Sequence, residues 1–272
     1  MNLKKVLFFV LVLVLVAAFG ISAFLVGSYL LEGRKQEQKF DDLANMVANA
    51  QTEQQGAVET VPGETVPEVT RGEPVAVKDE NGMLLCYKDI YEMNNDTVGW
   101  IKMEGTEMDY PVMQTPDEPD YYLYKDFEEE KSDRGCVFAW GEADINEPSD
   151  NITLFGHNMR DGSMFACLNA YTDKAAWDAN SLIFFDTLNE FHTYKIFAVF
   201  KTTATLNEGF EYHQFVDAED EEEFDEFVAT CKDLAFYETG ITPVYGDKLL
   251  CLSTCEYTLE NGRLVVAAVR IT

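Results

Sequence analysis

Between Val6 and Leu31 the chain runs for 26 residues without a charged side chain, interrupted only by the small residues Gly20, Ser22, Gly27 and Ser28. As an α-helix this stretch is roughly 39 Å long, enough to cross a hydrocarbon core of about 30 Å with some tilt. The competing reading is a cleaved signal peptide, whose apolar region is about 7–15 residues long and ends at a small-residue cleavage site. Here the apolar run continues through Phe24, Leu25 and Val26, which favours an uncleaved anchor. Lys4 and Lys5 precede the run while Arg34 and Lys35 follow it, so charge bias alone sets the orientation only weakly. Nearly everything else lies after this single span. The expected arrangement is therefore a single-pass protein of the cell membrane, with residues 1–5 inside, 6–31 in the bilayer and the bulk of the chain outside.

The remaining residues carry most of the charge. Lys plus Arg number 20 against 49 Asp plus Glu, a formal net charge of −29. A nucleic-acid binder needs a basic face to neutralise phosphates, so that class is excluded. At 47% hydrophobic and 13% aromatic the chain is also too apolar for an acidic disordered tail. Residues 32–80 read as an extracellular stalk or linker. Gln, Glu, Thr, Val and Pro replace bulky residues there, and Glu59-Thr60-Val61-Pro62 is echoed by Glu64-Thr65-Val66-Pro67. Phe40 to Ala50 is expected as a short helix, and the Pro-containing part as extended or disordered chain.

From residue 81 to 272 the sequence is globular. A short helix is expected over Cys86–Met93, and strands over Val98–Met103, Met108–Met113, Cys136–Trp140, Asn151–Phe155, Ser181–Asp186, His192–Thr203, Lys248–Cys255 and Arg263–Ile271. Short strands separated by turn residues predict an antiparallel sandwich or a closed barrel. The acidic stretch Asp217–Phe236 differs. Phe224, Phe227, Val228, Cys231 and Leu234 recur there at spacings of three and four, the pattern of an amphipathic helix with acidic residues near its positive N-terminal end.

Six cysteines outside the cell invite a disulfide framework, but a domain of this size does not need one. Cys86, Cys136, Cys167 and Cys231 sit among apolar neighbours and read as small core residues. Cys251 and Cys255 share one strand at a separation of about 13 Å, too far for the roughly 4.4–6.8 Å that a disulfide requires. With no CxxC pair and three histidines, a zinc site has little support. Cys255 is distinct because it ends an apolar strand and precedes a polar turn. In a hairpin closed around Asn261-Gly262, Cys255 and Arg263 would face each other, and a cation there favours thiolate and can stabilise an oxyanion. His157 also follows a strand end, and a nucleophilic cysteine needs a base or a positive field nearby. His192 and His213 read as surface or structural residues. A structural role for His157 stands beside the catalytic one on these grounds alone.

Thr153-Leu154-Phe155-Gly156-His157-Asn158-Met159, continued by Asp161-Gly162-Ser163-Met164-Phe165, occurs with Leu252-Ser253-Thr254-Cys255 and an Arg eight residues later. Together these closely resemble the signature of sortases, and the GHNM-x-DGSMF form resembles class B. The stretches Asn95–Ile101 and Asp109–Gln114 resemble the same class, so the likeness covers about residues 86–272. It implies a mainly β fold, a closed eight-stranded barrel with added helices at the N-terminus and between the sixth and seventh strands, where the helix at 217–236 falls. It further implies a cell-wall sorting transpeptidase. Cys255 would form a thioacyl intermediate with a C-terminal sorting motif of a secreted protein, His157 would serve as acid and then base, and Arg263 would position the peptide and stabilise the oxyanion. The acceptor would be an amine of a peptidoglycan precursor, or a lysine in a pilin-polymerising enzyme. The resemblance carries substrate binding to Leu123, Ser253, Thr254, Glu256 and Asn158, with the Glu256 backbone donating to the oxyanion. It implies no cofactor and no metal. Thr115–Asp120 departs from the usual groove-forming pattern, and position 256 is Glu where many relatives have Asp. Two other readings use the same surface: a membrane-anchored cysteine peptidase releasing to water, and a non-catalytic peptide-binding module.

Overall fold

The computed structural model describes residues 3–58, 75–205 and 208–272. The chain divides into two compact units, 1–42 and Leu43–Thr272. Helix α1 runs unbroken from Leu3 to Val58. Its N-terminal part presents exposed apolar side chains from Leu7 to Leu31 and is long and apolar enough to cross a membrane. The expected stalk differs from the structure in its first half. The helix continues well past Ala50, and within the second unit Leu43 and Val47 are buried, so this segment is held by packing as well as by helix propensity. The Pro-containing repeat at 59–67 lies outside the described residues.

Among the described residues, eight strands build the globular unit: β1 (Thr97–Lys102), β2 (Asp109–Met113), β3 (Val137–Ala139), β4 (Asn151–Phe155), β5 (Leu182–Thr187), β6 (Thr193–Thr203), β7 (Leu249–Cys255) and β8 (Gly262–Arg270). Their order is β1-β2-β3-β4-β7-β8-β6-β5, and the pairing of β5 with β1 closes the barrel. Helices α2 (Leu85–Met93), α3 (Lys174–Ala179) and α4 (Glu221–Asp233) are added to it. The antiparallel expectation requires one correction. β2 pairs with β3, and β4 with β7, in parallel, which long crossover connections permit and hairpins do not.

β7 and β8 are buried along nearly their whole length. One reason is α4, whose Phe224, Phe227, Val228 and Cys231 pack in one cluster with Phe197 and Phe200 of β6, Leu249 and Cys251 of β7, and Val265 of β8. Covering both faces of a sheet turns its strands into continuous apolar runs instead of alternating ones. α4 starts later than Asp217. Asp220 caps it by accepting from Glu223 N, while Asp217 accepts from Asp150 N at 2.9 Å and Ser149 Oγ at 3.1 Å and so ties the segment to the start of β4.

Candidate active site

Register explains how distant residues meet. β4 and β7 run parallel with Phe155 opposite Ser253, so the chain leaves both strands at the same end of the barrel. His157 follows β4 by two residues and Cys255 is the last residue of β7. β8 returns antiparallel with Arg263 opposite Cys255, through a turn in which Asn261 takes a left-handed φ of 51°. Cys255, His157 and Arg263 all line one cavity of about 480 Å³.

The three side chains are half-buried. His157 Nε2 lies 2.7 Å from the carbonyl oxygen of Leu123. A carbonyl can only accept, so Nε2 carries the proton and Nδ1 is left free for proton transfer. Leu123 thus acts on His157 through its backbone, while its residue also lines the cavity. The ring of Tyr124 packs against the imidazole with centroids 5.5 Å apart. Arg263 donates through Nη1 to the carbonyls of Asn261 and Gly262 at 3.3 and 3.0 Å. Among the described residues no carboxylate forms an ion pair with it, so its remaining donors are available to a ligand.

The other cysteines are chemically different. Burial pushes the thiols of Cys86 and Cys167 up to about 11 and that of Cys251 up to about 12, and it drives Cys136 and Cys231 well up also. Such thiols stay protonated and inert at neutral pH. No cysteine is paired in a disulfide. Cys167 is half-buried, not fully so as expected.

The residues expected to bind substrate separate into two groups. Leu123, Ser253 and Thr254 line the cavity. Both hydroxyls already have partners: Ser253 Oγ lies 2.5 Å from Tyr212 Oη, and Thr254 Oγ1 donates to Gly156 O at 2.7 Å. Asn158 and Glu256 do not line the cavity. Asn158 Nδ2 donates to the Cys255 carbonyl at 2.8 Å, holding the backbone of Cys255. Glu256 is buried, and its N–H already donates to Gly262 O at 2.9 Å, so it is not free for an oxyanion in this structure. Burial alone would raise the Glu256 carboxyl, but hydrogen bonds from Lys201 and Thr258 outweigh it and hold the group below the usual carboxylate range.

Sequence reasoning missed Tyr212, His213 and Trp140, which also line the cavity. His213 packs edge-to-face with Trp140 at 5.0 Å and with Tyr212 at 5.5 Å. Burial lowers the His213 pKa, and the Arg263 charge lowers it further although Glu211 opposes them. Burial likewise pushes the Tyr212 phenol up to about 12. The adjacency of Tyr212 and His213 in an irregular segment carries no periodicity, so no local signal points them at the barrel end.

The sequence model of the sortase domain matches residues 101–271. Sortase B of Listeria monocytogenes is 30% identical over the full length of both chains. Sortase B of Staphylococcus aureus is 29% identical over 184 residues, covering 67% of this chain and 73% of that protein. Among solved structures, a Staphylococcus aureus sortase B–substrate complex superposes with a TM-score of 0.72 at 24% identity, covering 89% of this chain and 99% of that one.

Proposed function

This chain belongs to the sortase family, in class B, and is a cysteine transpeptidase of cell-wall protein sorting; on that premise we propose the following roles for its residues. Cys255 passes its thiol proton to Nδ1 of His157 as its sulfur attacks the carbonyl carbon of the sorting motif, and the tetrahedral oxyanion is stabilised by Arg263. His157 gives a proton to the departing amine as the C–N bond breaks, leaving a thioacyl enzyme. An incoming amine then attacks the thioester, His157 takes its proton and the C–S bond breaks. Splitting acyl transfer into two such steps is what a nucleophilic cysteine with an adjacent acid–base group does.

The observation that carries this reading is the convergence of Cys255, His157 and Arg263 on one cavity. Leu123, Ser253 and Thr254 form part of the peptide site. Asn158 supports the Cys255 backbone, and the Glu256 N–H gives way to Arg263 as the oxyanion donor. The acceptor is an amine of a peptidoglycan precursor. Helix α1 anchors the protein in the cell membrane, with its N-terminus inside and the barrel outside.

A sorting-motif peptide library incubated with the protein and a candidate amine tests the proposal by mass spectrometry. Expected are a Cys255-linked acyl species, a ligated product, and loss of both in Cys255→Ala and His157→Ala. Cleavage without any ligated product would replace transfer with hydrolysis, and full activity in either variant would remove that residue from the mechanism.

A further inference from the structure

Glu256 directly follows Cys255, and its side chain is only 7% exposed. One carboxylate oxygen accepts from Lys201 Nζ at 2.8 Å. The other accepts from Thr258 N, Thr258 Oγ1 and Leu259 N at 2.9, 2.8 and 3.2 Å. Lys201 Nζ also reaches Thr258 Oγ1 at 3.2 Å. A Cβ at position 262 would lie 2.5 Å from Glu256 O and 3.0 Å from its carboxylate, so β8 begins tightly against this group. The carboxylate therefore joins the residue after β7 to Thr258 and Leu259 of the turn and to Lys201 of β6, while the Glu256 N–H bonds Gly262 O at the start of the strand that carries Arg263. Lys201 comes from β6 on the far side of β8, where Lys201 is opposite Leu264 and Thr202 is opposite Arg263. An ionised carboxylate at this depth is costly unless a cation and hydrogen bonds compensate it.

We propose that Lys201 is a positioning residue for the transfer reaction. By neutralising Glu256, it clamps the β7–β8 corner and keeps Cys255 and Arg263 in facing register. This rests on the catalytic reading of those two residues. Neither Lys201 nor Glu256 lines the cavity, so the clamp acts on the geometry of reacting groups and not on peptide contact.

The test compares Lys201→Met, Lys201→Arg, Glu256→Gln and the double variant K201M/E256Q in thioacyl formation. Measurements are made below each melting temperature, with near-UV circular dichroism confirming the fold. Misplacing reacting groups by a fraction of an ångström costs rate, so K201M should lose on the order of tenfold in kcat with the peptide KM within about twofold. Lys201→Arg keeps the charge and should restore most of kcat. The double variant should be no worse than K201M, because the carboxylate that needed neutralising is gone. Wild-type kcat in K201M, a K201R variant as impaired as K201M, or losses that multiply in the double variant would each overturn the proposal. If K201M does not fold, K201R and the double variant still decide, and a double variant that also fails to fold overturns it. Turnover persisting in Cys255→Ala would instead overturn the catalytic reading beneath it.

Discussion

Gly156, immediately before His157, is the position where one methyl group should be felt at both core and active site. A Cβ built there lies 2.7–2.9 Å from three atoms of the Phe165 ring, closer than ordinary carbon contact by about 0.7 Å. Neither side can yield easily. Phe165 is fully buried, and its N–H donates to the His157 carbonyl at 2.9 Å. Gly156 is fastened to β7 by its own N–H to Ser253 O at 3.1 Å and by Thr254 Oγ1 on its carbonyl at 2.7 Å. Overpacking of this kind costs about 1–3 kcal/mol. For a compact unit of this size, that lowers the melting temperature by about 2–12 °C. Relief of the clash moves Phe165 and, through its hydrogen bond, His157; a shift approaching 1 Å at a reacting group lowers the rate by on the order of 10–100-fold. Thermal melts followed by circular dichroism, together with thioacyl formation measured by mass spectrometry, test both consequences in Gly156→Ala. Adding Phe165→Leu should recover part of the loss, because the two changes share one contact. A Gly156→Ala protein with wild-type melting temperature and wild-type acylation would refute the argument that Gly156 is set by this contact.

Two further outcomes follow from the same geometry. Arg263→Lys keeps the charge but loses the guanidinium fork, so kcat should fall on the order of 100-fold as for loss of an oxyanion donor; full activity in steady-state assays would mean that a point charge suffices. Asp186 is a half-buried acid whose carboxyl desolvation pushes up to about 6, against the hydrogen bonds from Tyr87 Oη at 2.6 Å and His192 N at 3.1 Å. Its folded-state value is raised above the unfolded one, so its contribution to stability is full below about pH 4 and is lost as pH rises through about 6, on the order of 3 kcal/mol. Urea unfolding should therefore show Asp186→Asn with a flatter stability profile than wild type between pH 4 and 7, and parallel profiles would rule out this titration.

Much of the architecture was readable because it is local. Strand edges, the amphipathic spacing in α4 and the strand-end placement of His157 and Cys255 all travel with short segments of sequence, and the two sortase-like motifs mark the same positions. The corrections are of another kind. The sortase resemblance implies Glu256 as a substrate contact, yet Lys201, which is 55 residues away, holds its carboxylate, and Glu256 does not line the cavity. His213 reads as a surface or structural residue, and its place at the cavity is set only when the segment before α4 folds back over Trp140 and Phe155. The helical pattern at Phe40–Ala50 carries no mark of how far the helix extends, and in the structure it runs on to Val58.

The sequence by itself determined the apolar span and the acidic composition, because composition and periodicity are properties of the chain alone, and its sortase-like motifs marked Cys255, His157 and Arg263. Only the tertiary structure decided that β4 and β7 lie side by side in parallel, that the Leu123 carbonyl sets the histidine tautomer, and that the Glu256 N–H is already committed. Each of these depends on strand register between residues far apart in sequence, which packing across the whole barrel sets and no short segment encodes.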